Sequence, residues 1–442
     1  MDMVWNYQTE NNKKEKILTM TSKHKNLLLL SLIITFAVNL TAQDWYQWRG
    51  ENRNGIYKES NLNLNWSEKK PALLWTFEQA GAGYSSPVIV ENILYCHGGT
   101  NSKDFAFALD TKSGTLKWKQ ILGNLYLQDR GNGPRGTITV DGNKLYLIRG
   151  GGQIHCLSTD DGKMLWEKDF QKDFGGSLMS GWGFSESPLI DGDLVICSPG
   201  GEKGSIIALD KNSGEVVWRC SELTDKSGYS SAIVADVDGI RQYVQLTEKG
   251  IAGVEAKTGR LLWKHDIEGF RVAIIPTPIF HDNKVYITVG YNVGSVLIGL
   301  SRDGDNIKSE IIYANKNLVN QHGGAVLVNG YVYGFSDAHG WVCQDFKSGE
   351  NIWTHRVNDV AKGAVLAVND KLLLLNERNG LVTIIEASPK GWKEFGRMEF
   401  PKRSKEASAQ DKMVWAHPVV SNGKLYLRDH EFLFCFDLKL NF

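Results

Sequence analysis

From about residue 71 onward the chain alternates short apolar runs with polar turns, and the alternation repeats. One unit reads ALDTKSGTLKW at 108–118 and recurs as CLSTDDGKMLW (156–166), ALDKNSGEVVW (208–218), GVEAKTGRLLW (253–263) and CQDFKSGENIW (343–353). Each copy predicts a strand, a turn built on Asp or Ser followed by Gly, and a second strand carrying Trp. Degenerate copies fall at 299–312 and 384–395, and a last one, CFDLK (435–439), stops before its Trp strand. A second unit precedes each of these, as in SSPVIVENILY (85–95), GTITVDGNKLY (136–146), PTPIFHDNKVY (276–286) and AHPVVSNGKLY (416–426). It predicts a tight hairpin, two short apolar strands around a two- or three-residue polar turn.

The two units alternate eight times, with a period of roughly 42–52 residues, the signature of a radial repeat fold with four strands per unit. The expected fold is all-β: an eight-bladed β-propeller of four-stranded antiparallel blades over residues 71–442. PALLWTF (71–77) supplies the Trp strand that the last copy lacks, so an N-terminal strand is expected to close the ring and leave no open sheet edge. Trp118, Trp166, Trp218, Trp263 and Trp353 share one register and are expected to dock between neighbouring blades. Cys156, Cys343 and Cys435 fall where other copies carry Ala108 and Ala208, so they read as small core residues, as do Cys96 and Cys197.

The N-terminus reads differently. Lys23 to Lys25 form a basic start, Leu27 to Val38 a largely apolar stretch, and Thr41-Ala42 a cleavage point. That stretch is too short to span a bilayer but suits an export signal. Residues 1–42 are therefore expected to be a polar leader plus signal peptide, with the start at Met1 or Met20, and the mature protein to be soluble in the periplasm or medium. Fifty basic residues balance fifty acidic ones without a basic block, which argues against a nucleic-acid partner. A monomer is expected.

The A-x-D-x-x-x-G-x-x-x-W blade resembles the repeat of PQQ-like β-propellers, over about residues 71–440. That family includes quinoprotein dehydrogenases, the propeller lipoprotein of outer-membrane protein assembly, and exported propellers whose lead-in resembles Trp45 to Gly55 here. The dehydrogenase resemblance implies PQQ held between a Trp and a disulfide of adjacent cysteines, with Ca²⁺ on a carboxylate and an amide and an Asp base. Trp182 or Trp415 could give the stacking face and Glu186 a metal ligand, but the chain has no adjacent cysteines and no matching Asp. The assembly-lipoprotein resemblance implies another envelope protein as partner, although no lipidation cysteine follows the apolar stretch.

In a propeller, loops leading into the first strand of each blade ring one channel mouth. The residue three before Pro87, read across the repeats, gives Tyr84, Arg135, Ser185, Tyr229, Ile275, His322, Lys362 and Trp415. This register is varied and polar, unlike the Trp register. Arg130, Trp182, Glu186, Arg271 and His417 lie nearby in sequence. Such a funnel suits a small-molecule or glycan ligand with carboxylates and flat or ring-shaped faces. It also permits a lyase acting on uronate polymers, with Arg135, Tyr229, His322 and Lys362 as catalytic candidates. The lead-in DWYQWRGENRNG (44–55) belongs to no repeat. Within a segment 43–70 it is expected to clasp a face or edge of the ring, or to lid one mouth, with Arg49 and Arg53 pairing to blade carboxylates or turn carbonyls.

Overall fold

The computed structural model describes residues 44–440, apart from 101, 130, 271, 357 and 406–412. The expected leader and signal segment lies outside the described residues. Eight sheets form. The first runs Val88–Val90, Ile93–Thr100, Lys103–Asp110 and Leu116–Asn124 in sequence order, every neighbour antiparallel. Six more repeat that order over 139–169, 189–219, 233–266, 279–315, 325–355 and 363–398. The eighth joins Val419–Ser421, Lys424–Asp429 and Phe432–Asp437 to Ala72–Phe77, which pairs antiparallel with Trp75 opposite Cys435. The fold is the eight-bladed, all-β propeller expected, with the closing strand where the repeat placed it. No helix among the described residues is long and apolar enough to cross a membrane.

Local chemistry explains the turns. Asp282 and Asn283 link the first two strands of blade 5 with both φ angles positive, 51° and 52°, as a two-residue hairpin requires. In the outer turns the leading Asp folds back on the backbone. Asp110 Oδ1 accepts from Lys112 N and Ser113 N, and Asp210 and Asp345 repeat the pattern.

The Trp register joins blade to blade. Trp75, Trp118, Trp166, Trp218 and Trp353 each donate the indole N–H to a carbonyl of the next blade, at 2.8–3.1 Å. Four of these rings also lie on the turn glycine of that blade: a Cβ on Gly114, Gly162, Gly214 or Gly259 would come within 2.4–2.8 Å of the indole. Trp263 is the exception, donating within its own blade to Gln242 Oε1 at 2.5 Å. All six cysteines are buried and unbridged.

The degenerate copies use substitutes. Blade 5 places Tyr313 opposite Leu297, where other blades have Trp, and its hydroxyl donates to Phe346 O of blade 6 at 3.0 Å. Blade 7 has only Gly396 there, opposite Ile384. The space goes to a residue from before the ring. Trp66 is 1% exposed, and a Cβ on Gly396 would lie 2.8 Å from that of Trp66. The adjoining Ser67 N donates to Phe395 O at 2.8 Å. Blade 7's own Trp392 instead stacks on His355 at 4.3 Å, half-buried. Trp66→Ala is therefore expected to destabilise by about 3–5 kcal/mol, as for other buried aromatics, and Trp392→Ala by well under half of that. Denaturant unfolding of the two variants checks the order.

Candidate ligand site at a plugged channel

The first strands of eight blades surround an axial channel, and their edges need hydrogen-bond partners. Part of the need is met by hydroxyls two residues beyond the mouth register. Ser86 N donates to Thr137 Oγ1, Thr137 N to Ser187 Oγ, Ser187 N to Ser231 Oγ, and His417 N to Ser86 Oγ, at 2.8–3.2 Å. The belt lapses at blades 6 and 7, where the same position is Gly324 and Ala364.

The lead-in segment fills the channel. Trp45 exchanges two backbone hydrogen bonds with Ile89 of blade 1, both 2.8 Å, and Tyr46 O accepts from Val140 N of blade 2. Arg53 donates to Ser187 O and Pro188 O before blade 3, at 2.7 and 3.0 Å. Trp48 Nε1 donates to Thr277 Oγ1 before blade 5 at 2.9 Å, and its ring meets the His417 imidazole edge-on at 4.6 Å before blade 8. Arg49 donates to Ala325 O of blade 6, its guanidinium lying over Gly324, where a Cβ would meet it at 2.8 Å. Ile56–Tyr57 then pairs in parallel with Gly363–Val368 of blade 7. Such coiling needs tight turns. Arg49, Gly50, Arg53 and Gly55 all have positive φ, and a Cβ on Gly50 would come within 2.9 Å of the Trp45 ring. The segment is thus a plug inside the ring, where the sequence suggested a clasp on a face or edge, or a lid over one mouth. Among the described residues its arginines bond to carbonyls of the plug itself and of segments leading into or within blades, and to no carboxylate.

Above the plug lies a cavity of about 530 Å³. Of the mouth register, Tyr84, Arg135, Ser185, Tyr229, Ile275, His322 and Trp415 all line it, as do Trp182 and His417. Arg130 and Arg271 lie outside the described residues. Two expected residues are not brought to the wall. Lys362 stands behind it, bonded to Gln321 Oε1 and 3.1 Å from Asp337. Glu186 is buried away from the cavity and accepts from Ser198 N at 2.8 Å. The reason is alternation along the extended run that leads to Leu189. Ser185 and Ser187 line the cavity while Glu186 between them does not, and of the residues that the other repeats hold at that position, Ser85, Gly136, Ser230, Pro276, Gly323, Gly363 and Ala416, only Pro276 and Gly323 reach the wall. Burial pushes the Glu186 carboxyl up to about 8.

Aromatic rings form much of the wall. Trp182 stacks on Tyr229 at 6.0 Å, and Tyr84 tilts against Trp415 at 4.9 Å. Arg135 reaches over the Tyr84 and Tyr126 rings at 5.9 and 5.6 Å while donating to Gly131 O and Gly133 O, both 2.6 Å. Sequence reasoning missed Trp48 and Arg49 on the floor, and Gln321, Tyr291 and Glu377 on the side. Tyr291 hydroxyl accepts from Gln321 Nε2 at 2.7 Å. Glu377 is the only carboxylate among the described lining residues. It accepts from Trp415 Nε1 at 2.9 Å and lies 3.5 Å from His322 Nδ1. Burial raises its pKa and, with Lys362 nearby, lowers that of His322 to about 3. Burial, then Arg49 and His322, hold His417 well below its usual range. Both imidazoles are neutral at physiological pH. The Arg49 guanidinium, lowered by burial to about 10, keeps its charge.

These features define a class: an eight-bladed propeller whose axial channel is stoppered by its own N-terminal segment, leaving a blind, aromatic, cation-bearing cavity. The chain belongs to the PQQ-repeat family whose model, described as "Outer membrane protein assembly factor BamB", matches residues 107–355. It is 28% identical to the outer membrane protein assembly factor BamB of Salmonella typhimurium over 34% of this chain and 32% of that one. It is 24% identical to a tetrathionate hydrolase of Acidithiobacillus ferrooxidans over 54% of this chain and 46% of that one. With a lanthanide-dependent methanol dehydrogenase of Methylacidiphilum fumariolicum the identity is 26% over 45% and 33%. The matched stretches thus span from about a third to under half of these relatives' lengths. Among solved structures, the quinohemoprotein alcohol dehydrogenase of Comamonas testosteroni superposes with a TM-score of 0.61 at 12% identity, covering 89% of this chain and 80% of that one. That likeness is one of fold.

Five histidines, His97, His155, His322, His417 and His430, have pKa values below 6.5, His155 and His322 near 3. They are neutral when folded and gain protons on unfolding below about pH 6.5, so their stabilisation is full above that pH and lost as pH falls toward 3. Glu186 and Asp104, raised to about 8 and about 6, and Glu377, also raised by burial, act in the opposite sense, being favoured protonated. Five outweigh three, so the unfolding temperature is expected to fall between pH 6.5 and 4.5. Calorimetric scans across that range check it, and His155→Gln should flatten the slope.

Proposed function

We propose that the cavity above the plug binds a small anion carrying a planar or sugar ring, and that the protein is an exported recognition module acting through this site. The carrying observation is the pair of arginines. Among the described residues, Arg49 is buried and bonds only to the neutral carbonyls of Asn54 and Ala325, and Arg135 only to those of Gly131 and Gly133. Neither pairs with a carboxylate among the described residues. A buried cation without a counter-charge is costly, and a ligand carboxylate would offset that cost. Glu377, the one acid on the wall, is pushed toward its neutral form. The rings of Trp48, Trp182 and Tyr229 offer faces to a flat or sugar-ring ligand.

The quinoprotein relatives raise PQQ with a metal as an alternative. The organic anion suits the arginines and rings, but the wall residues do not fit a divalent cation. Glu377 accepts from Trp415 Nε1 and is pushed by burial toward its neutral form, and the amide oxygen of Gln321 accepts from the Lys362 ammonium. That ammonium also acts on Glu377 and opposes a second cation there. No group of three or more His, Cys, Asp or Glu side chains among the described residues converges as a metal site.

One observation favours a second, enzymatic reading. His322 is neutral, faces the cavity, and has Glu377 behind Nδ1. With a pKa of about 3 the free imidazole is a weak base, but a bound carboxylate beside it would raise its proton affinity and let it take a proton from the adjoining carbon, which is the chemistry of a uronate lyase. Lys362, set behind the wall, would act only through its field.

Calorimetric titration with glucuronate and galacturonate oligosaccharides and with PQQ, each beside its esterified counterpart, tests the reading. The acids should bind, and the esters at least about tenfold more weakly. Trp182→Ala and Arg135→Gln should each weaken binding by about tenfold, with little change in melting temperature for Trp182→Ala. Equal binding of acid and ester, or none of either, overturns the proposal. Release of an unsaturated uronate, abolished in His322→Gln, would move the protein to the lyase class.

A further inference from the structure

We infer that the plug is the specificity element of this site, and that Trp48, a residue outside every blade, sets the depth to which a ligand can enter. The inference rests on the binding reading above and adds which residue measures the ligand.

Trp48 is a partition. It helps to line the 530 Å³ cavity and also a second, much smaller void of about 10 Å³. The smaller void is bounded by Trp45, Gly55, Ser86, Leu366 and Val419, which belong to the plug and to the inner parts of blades 1, 7 and 8. Arg49 and His417 border both spaces. The floor between them is therefore one indole with its neighbours, not a wall of blade backbone.

The indole is fixed from two sides. Thr277 Oγ1 holds its N–H at 2.9 Å, and the His417 imidazole packs against it edge-to-face, ring centres 4.6 Å apart at 61°. Thr277 occupies the position whose hydroxyl, in blades 1 to 4 of the belt, serves a neighbouring strand. Here it serves the plug. Arg49, the next residue, places its guanidinium on the same floor, so a ligand carboxylate docked there sets the ring against Trp48. Ligand length above the floor is then limited by the channel mouth, and below it by the indole. Arg49 and Arg53 act as positioning residues, holding the turn that presents Trp48 by bonds to Ala325, Ser187 and Pro188 carbonyls.

Removing the indole should join the two spaces and deepen the site toward Leu366 and Val419. The experiment uses the full chain and two ladders of probes: galacturonate mono- to tetramers, and benzoate, naphthoate and anthracene carboxylates. Wild-type affinity should peak at one length within a ladder. Trp48→Ala should lose about tenfold for that probe and move the peak to the next longer one. Trp182→Ala should weaken all lengths alike and leave the peak in place. Thr277→Val, which removes only the acceptor for the Trp48 N–H, should broaden the length profile, and it stays informative if Trp48→Ala fails to fold. An unchanged profile in Trp48→Ala, or in Thr277→Val where the alanine variant does not fold, overturns the inference while the binding reading stands. If wild type binds neither ladder, the binding reading itself fails.

Discussion

A ring of eight blades leaves a hole at its centre, and the inner strand edges around that hole must find partners for their backbone groups. Everything particular to this protein follows from how that constraint is met. Side-chain hydroxyls bridge the early blades, backbone bonds such as Tyr84 N to Pro134 O and Tyr229 N to Ile274 O join neighbours, and a segment from outside the ring adds further partners. Trp45, Arg49, Arg53 and Ile56–Tyr57 spread their bonds over different blades, so no single blade owns the plug. The same bonds turn an open channel into a cup.

How much of this was legible in the sequence depends on which residues repeat. The outer Asp–Gly turns and the Trp register recur because each blade solves the same packing problem, so blade number and ring closure could be read directly. The mouth register was found by the opposite signal, variation at a position where packing demands nothing uniform, and seven of its eight residues line the cavity. Glu186 failed because neighbouring residues in an extended run face opposite ways. Lys362 fell short because Asp337 and Gln321 draw its ammonium aside.

Other parts were hidden for a reason. Trp66 replaces an indole missing from a blade more than three hundred residues away, and no local pattern reports so distant a substitution. Glu377 sits beyond a second strand, outside the register that was traced, and reaches the cavity because its backbone bonds to Lys362 O. Trp48 and Arg49 belong to no repeat, so periodicity could not place them. The signal that remained was compositional: two large rings and two arginines among glycines at positive φ, too costly to leave in water and too tightly turned to be a strand.

The plug also sets an order of events. It precedes every blade in the chain, yet its partners run from Ile89 to His417, and the closing strand must wait for Phe432–Asp437. These are contacts of very large sequence separation, which form slowly. While a nascent chain lengthens, Trp45, Trp48, Trp66 and Trp75 therefore remain without their final surroundings until the eighth blade exists. Local hairpins can assemble blade by blade, but the ring, its stopper and its cup appear together. Folding yield, more than the stability of any one blade, is the quantity most exposed to changes in residues 44–77.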